Sequence, residues 1–379
     1  MPPKAHAILS ASSSHRWLNC PPSARLCETY EDKGSNYAAE GTDAHSLCEY
    51  KLRKALGMGA VDPSEHLTWY SEEMEDCANG YAAYILELVE AAKEVCSDPV
   101  VLIEQRVDFS RWVEQGFGTS DAIIISDGTL RVIDYKHGLG VLVEADNNPQ
   151  MMCYALGALE LFDAIYDIDT VAMTVYQPRR QNVSTFEMSK DDLYRWAEEV
   201  LKPTAELAFT GDGNFLCGEW CGFCKDNHEC RARAEANLLL AQYDFKLPPL
   251  LEDSEIEVIL SRADQLVSWV NDIKEYALQQ AISGKDWTGF KLVEGRSNRR
   301  YTDEAAVTQV VTNAGFDPYE RKLLGITAMQ KLLGKSRFEE LLSAYIEKPQ
   351  GKPTLVPESD KRPVMNNAKT DFMEENDYE

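Results

Sequence analysis

Basic residues are scarce in this chain of 379 residues, where 38 Lys and Arg stand against 63 Asp and Glu and leave a formal charge of −25. A surface so acidic repels phosphate at long range, which excludes a general basic coat for nucleic acid and confines any such contact to local groups. Long apolar runs are also missing. No segment approaches the roughly 18 uninterrupted apolar residues of a membrane span, and the opening MPPKAHAILSASSSHRWLNC has no apolar signal core. The expectation is a cytoplasmic protein with no membrane partner. No internal repeat is evident. At this length, with 44% hydrophobic residues, the chain is globular and long enough for a large core and for two domains. Ten cysteines are present. In a reducing compartment, clustered cysteines ligate zinc or iron–sulfur groups more often than they form disulfides.

Periodicity orders the elements. Residues 35–56 and 64–96 carry helical apolar spacing. VVLIEQRVDF (100–109), GTSDAIIIS (118–126) and TLRVIDYK (129–136) are rich in β-branched residues, and Asp127-Gly128 is a hairpin turn signal between the last two. These three predict an antiparallel meander. Helix follows at 148–165, strand at 170–179 and helix at 190–209; after a cysteine-rich stretch at 217–230, the link KLPPLLED leads to a helix at about 254–283 and two more before about 346. The predicted division is a mixed α/β domain over 1–245, a mainly helical domain over 246–346, and a flexible acidic tail over 347–379.

The stretch LRVIDYKHG puts Asp134 and Lys136 two residues apart in a run that otherwise reads as a buried strand. Side chains alternate faces along a strand, so the two charges stand together. Asp121, after the GTS that opens the middle strand, can meet them at one edge of the sheet. Carboxylates held close repel, and a hard divalent cation removes the repulsion. Such a cation, with water on it, suits phosphodiester hydrolysis.

The GTSD and DYK motifs resemble the RecB-like branch of the PD-(D/E)XK nucleases, in which an Asp, a hairpin and then Asp-x-Lys form the site. Two further motifs fit the same branch. EGTDAHSLCEY places His45 on a helix like the GTxxH helix of RecB and AddB nuclease domains, and QMMCY places Gln150 and Tyr154 like their Q-x-x-x-Y pair. The resemblance implies a central mixed sheet of restriction-endonuclease type flanked by helices. It further implies Mg²⁺ or Mn²⁺ on His45, Asp121 and Asp134, with Asp121, Asp134, Lys136, Gln150 and Tyr154 as the catalytic set. Glu104, on the preceding strand, is either an additional acid or a solvated strand residue.

LCGEWCGFCKDNHEC holds Cys217, Cys221, Cys224 and Cys230. As a local motif these four suit a tetrahedral zinc site. The spacing Cys221-x2-Cys224-x5-Cys230 also resembles the cysteine triplet of AddB and of the CRISPR-associated RecB-like exonucleases. There a [4Fe–4S] cluster takes its fourth thiolate from far upstream. LSASSSHRWLNCPPSARL looks like the segment that supplies it, which implies Cys20 as the fourth ligand and leaves Cys217 surplus. Cys27, Cys48, Cys77, Cys96 and Cys153 lie among apolar positions and read as small core residues.

EGRSNRRY gathers Arg296, Arg299 and Arg300 beside an aromatic residue, and YQPRR sets Arg179 just beyond a strand of the predicted sheet. Each suits either phosphate contact or a solvated loop. The expected function is a metal-dependent DNA exonuclease of phage-type recombination or replication. Its expected partners are DNA and a phage single-strand annealing or recombination protein. A non-catalytic DNA-binding subunit and a zinc-stabilised interaction module are the alternatives. Oligomeric state is open.

Overall fold

The computed structural model describes residues 7–30, 34–239, 251–294, 301–319, 323–347, 354–356 and 360. The chain divides into two units, Met1–Lys285 and Asp286–Glu379. In the first, two short helices, α1 (Ser14–Asn19) and α2 (Ser23–Glu28), precede α3 (Asn36–Ala55) and α4 (Glu72–Val95). Both long helices start at a serine whose side chain accepts a backbone N–H three residues on: Ser35 from Ala38, and Ser71 from Met74. Ser71 explains why α4 begins later than residue 64, where periodicity alone puts a helix.

Strands β1 (Val100–Asp108), β2 (Phe117–Ser126) and β3 (Gly128–Tyr135) form the expected antiparallel meander. A crossover through α5 (Pro149–Phe162) returns the chain to β4 (Ile168–Gln177), which pairs parallel to β3. A fifth strand, β5 (Asn182–Ser189), closes the order β1-β2-β3-β4-β5 antiparallel to β4. The fold is thus a five-stranded mixed sheet flanked by helices. Helices α6 (Lys190–Trp196) and α7 (Lys202–Thr210) follow, then α8 (Arg231–Leu238) and α9 (Asp253–Ile282). The sequence boundary at 245/246 moves: α9 lies in the first unit, where buried Arg233 of α8 pairs with Asp272 and Tyr276 donates to Glu229. The second unit carries α10 (Glu304–Asn313), α11 (Ile326–Leu333) and α12 (Lys335–Leu342), with Phe338 buried. Among the described residues no helix is long and apolar enough to cross a membrane.

Alternation splits the sheet residues between two cores. Ile123, Ile125, Leu130, Val132 and Met173 pack under α5, and Ala122, Ile124, Ile133 and Tyr135 pack under α3 and α4. Full burial of each large aliphatic contributes about 1.5–3 kcal/mol, so these two layers fix the sheet between its helices. Gly157 lets α5 approach the sheet, because a Cβ there would stand 2.9 Å from Val107 Cβ and 3.0 Å from the Asp108 nitrogen.

Candidate active site and cysteine cavity

The site lies where the meander leaves the apolar core. Asp134 and Lys136 share a face at the end of β3, and Lys136 Nζ is 3.0 Å from Asp134 Oδ2. The bond is not aligned as a hydrogen bond, so that oxygen is buried without a hydrogen-bond partner. Helix α5 supplies the next contacts. Gln150 Nε2 donates to Asp134 Oδ1 at 3.1 Å and to the Tyr154 hydroxyl at 3.1 Å, while Gln150 Oε1 accepts from Lys136 Nζ at 3.2 Å. Asn148, the cap of α5, accepts from Gln150 N and fixes the first turn from which Gln150 projects. Gly118 makes room for Tyr154, whose ring would stand 2.6 Å from a Cβ at that position.

Helix α3 covers the opposite side. His45 Nδ1 is 3.0 Å from Asp121 Oδ1, and the other carboxylate oxygen of Asp121 accepts the Tyr135 N–H at 2.6 Å. Asp121 therefore takes a backbone donor of the neighbouring strand and points its other oxygen at the helix. On β1, Glu104 stands between the ladder pairs Ile103–Ala122 and Gln105–Ser120 with φ of 52°. A left-handed glutamate costs on the order of 1–3 kcal/mol and persists only where its surroundings impose it. Ligand atoms of His45, Glu104 and Asp121 all lie within 4.8 Å of one another. This trio differs from the expected His45, Asp121 and Asp134: Glu104 joins it, and Asp134 is drawn toward Lys136 and Gln150. The signal for Glu104 is in the sequence, as the acid of an apolar strand that antiparallel pairing sets opposite Asp121.

Charge in the site is unevenly shared. Burial disfavours a charged His45, but the adjacent Asp121 carboxylate outweighs it and pushes the imidazole up to about 9. Burial, reinforced by Asp121, raises Glu104 to about 7. Burial also raises Asp134 against the pull of Lys136. Lys136 is held above the ordinary lysine range because Asp134 outweighs the cost of burying its ammonium. A buried carboxylate oxygen without a hydrogen bond, beside three converging N and O donors, suits a hard divalent cation.

Arg179 does not face solvent as a free cation. Its guanidinium is 2.9 Å from Glu40 and 3.4 Å from Glu73. Arg296, Arg299 and Arg300 lie outside the described residues.

A family described as "Protein of unknown function (DUF2800)" matches residues 6–363. The chain belongs to DUF2800. It is also similar to the solved structure described as "Crystal structure of SSO0001", with 16% identity, covering 49% of this chain and 94% of that one, at a TM-score of 0.22. A likeness that loose carries no argument.

The second polar centre of this DUF2800 chain is sulfur-rich. Cys20 ends α1, Cys221 and Cys224 lie on and after a 3-10 turn (Glu219–Phe223), and Cys230 caps α8. All four line one small cavity of about 20 Å³, with Arg16, Ser23 and Arg233 among its other walls. Ser23 Oγ is buried there without a hydrogen-bond partner. Cys217 lies outside this cavity and donates to Cys221, which favours the Cys221 thiolate. Cys27, read from sequence as a core residue, is buried, yet its sulfur lies 3.7 Å from that of Cys224. The Cys224 thiol donates to Cys27 and, against burial and with help from Arg16, lowers the Cys27 thiol below its usual range. Burial alone marks Cys48 and Cys153 as core, and Cys77 and Cys96 are half-buried.

Proposed function

We propose that this chain is a metal-dependent DNA exonuclease of the RecB-like PD-(D/E)XK type, with a [4Fe–4S] cluster joining the ends of its nuclease domain. The observation that carries the reading is the continuous polar chain Asp134–Lys136–Gln150–Tyr154 set against the His45–Glu104–Asp121 trio. Mg²⁺ or Mn²⁺ on the trio and Asp134 would supply Lewis acidity and a water activated at neutral pH. Lys136, kept protonated by Asp134, acts as a fixed positive charge for the phosphate oxygens as negative charge grows there. Gln150 sets its direction by holding the ammonium on Oε1 while both its N–H groups are spent on Asp134 and Tyr154. The Tyr154 phenol is raised by burial, so it stays a hydroxyl able to donate to the strand. Action from DNA ends, and a role in phage-type recombination, rest on the motif resemblance.

For the cysteines, the choice of walls favours a cluster over a local zinc, because Cys20 and not Cys217 shares the cavity with Cys221, Cys224 and Cys230. Thiolates on a tetrahedral zinc lie about 3.8 Å apart, as Zn–S bonds of about 2.3 Å require. Among the described residues, one pair of sulfurs, Cys27 and Cys224, lies at such a spacing, 3.7 Å, and Cys27 belongs to neither ligand set. Buried Arg16 and Arg233 there suit an anionic occupant.

The deciding assay uses end-labelled single- and double-stranded DNA with Mg²⁺ and with Mn²⁺. The expected result is progressive release of nucleotides from linear DNA, none from closed circles, and arrest by EDTA that either metal reverses. Absence of hydrolysis on every substrate with both metals overturns the reading.

Metal affinity is expected to rise with pH. Below about 7 both Glu104 and His45 hold protons that a cation must displace; between about 7 and about 9 only His45 does. The logarithm of the Mn²⁺ association constant should therefore climb by about two per pH unit below 7 and about one between 7 and 9. Titration of Mn²⁺ calorimetrically in buffers of different ionisation enthalpy measures the protons released. A pH-independent affinity would remove His45 and Glu104 from the ligand set.

A further inference from the structure

Cys27 has no place in the ligand set proposed above, yet its thiol touches one of those ligands. Its sulfur is 3.7 Å from Cys224 Sγ, across 197 residues of chain. Both sides of the contact are anchored. Cys27 sits near the end of α2 and its sulfur accepts the Lys225 N–H at 3.3 Å, while Tyr30, three residues on, donates to Asp226. A disulfide needs the sulfurs at about 2.05 Å, so the pair can close by a movement of under about 2 Å, without unfolding either segment.

We propose that Cys27 and Cys224 are a redox pair that closes to a disulfide when a peroxide oxidises the site and reopens to a dithiol reductant. The sulfur of Cys27 attacks one peroxide oxygen; the O–O bond breaks and hydroxide leaves, giving a sulfenic acid on Cys27. Cys224 then attacks that sulfur, the S–O bond breaks, and the second oxygen leaves as hydroxide. Protons released by the thiols convert both hydroxides to water, and the two electrons lost by the sulfurs reside on the former peroxide oxygens. Reduction runs by exchange, with the reductant ending as a disulfide. The proposal rests on the cluster reading in one respect: Cys224 cannot bind iron and Cys27 at once. Closing the pair therefore belongs to the iron-free state, where it shields Cys224 from irreversible sulfinic and sulfonic acids and leaves the site able to reload.

The test starts from full-length protein purified anaerobically and treated with hydrogen peroxide, alkylated at intervals, digested and mapped by mass spectrometry. A Cys27–Cys224 cross-linked peptide should accumulate as iron is lost, and a phosphine or dithiol reductant with ferrous iron and sulfide should then restore most of the iron. Cys27→Ser should hold iron as prepared, lose it under peroxide, and recover several-fold less, with Cys224 found as sulfinic or sulfonic acid. Cys27 that remains alkylatable throughout, or Cys224 joined instead to Cys221 or Cys230, overturns the proposal. Should Cys27→Ser fail to fold, the mapping of the unmodified chain decides alone. If the purified protein holds no iron, the cluster reading falls, while the same mapping still judges the pair: the cross-link supports it and its absence overturns it.

Discussion

Lys136→Ala is expected to lower phosphodiester hydrolysis by about 10²- to 10³-fold or more, the usual loss when one group that stabilises charge in the transition state is removed. The effect should fall on kcat, since the ammonium is 3.0 Å from Asp134 and 3.2 Å from Gln150 rather than on an exposed binding surface. Asp134→Ala should be as damaging, because it removes a carboxylate from the site and releases Lys136. The stability signature separates this from general unfolding. Asp134 is 3% exposed, so without Lys136 a buried carboxylate loses its cation at a cost of about 3 kcal/mol, the low end for a broken buried pair because Lys136 itself is partly exposed. Asp134 is already raised by burial, and losing Lys136 raises it further. A carboxyl raised above its unfolded value contributes stability below that unfolded value and loses it as pH rises. The melting temperature of Lys136→Ala should therefore approach that of the unmodified protein near pH 4 and fall behind it toward pH 8. Hydrolysis at the unmodified rate in a folded Lys136→Ala protein would dismantle the active-site assignment.

Much of this site is legible in sequence because strands obey a strict period. Asp134 and Lys136 had to share a face, and the Asp127-Gly128 turn had to bring Asp121 beside them. What sequence does not carry is local departure from that period. Pairing sets Glu104 opposite Asp121, but its positive φ is a backbone choice that no pattern of residue types announces. Strand β5 is hidden for a different reason: at the sheet edge, NVSTFEMS alternates between half-buried and exposed positions, so its apolar side is weak. The division into units falls after α9, where composition marks only the Pro-containing link between α8 and α9; the Arg233–Asp272 ion pair across 39 residues is invisible to composition. Cys27 reads as core because it is core; its second property depends on a partner 197 residues away.

Cys20→Ser and Cys217→Ser are expected to have opposite outcomes. A local zinc site would use Cys217, Cys221, Cys224 and Cys230 and leave Cys20 dispensable, whereas a cluster in the shared cavity needs Cys20 and leaves Cys217 dispensable. Cys20 ends the first helix and faces a segment about 200 residues later, so a group bound to both closes most of the domain into a loop. Cross-linking a loop of that length contributes up to about 4–5 kcal/mol by restricting the unfolded chain. For a domain of this size each kcal/mol moves the melting temperature by about 2–4 °C. Cys20→Ser should therefore lose its iron and its broad absorbance near about 400 nm and melt about 10 °C or more below the unmodified protein. Cys217→Ser should keep the iron and the melting temperature, because its thiol lies outside the cavity and only donates to Cys221. Iron lost from Cys217→Ser but kept in Cys20→Ser, or one zinc and no iron in anaerobically prepared protein, would replace the cluster with a local zinc site. The nuclease reading would stand in either case, since none of its residues is a cysteine.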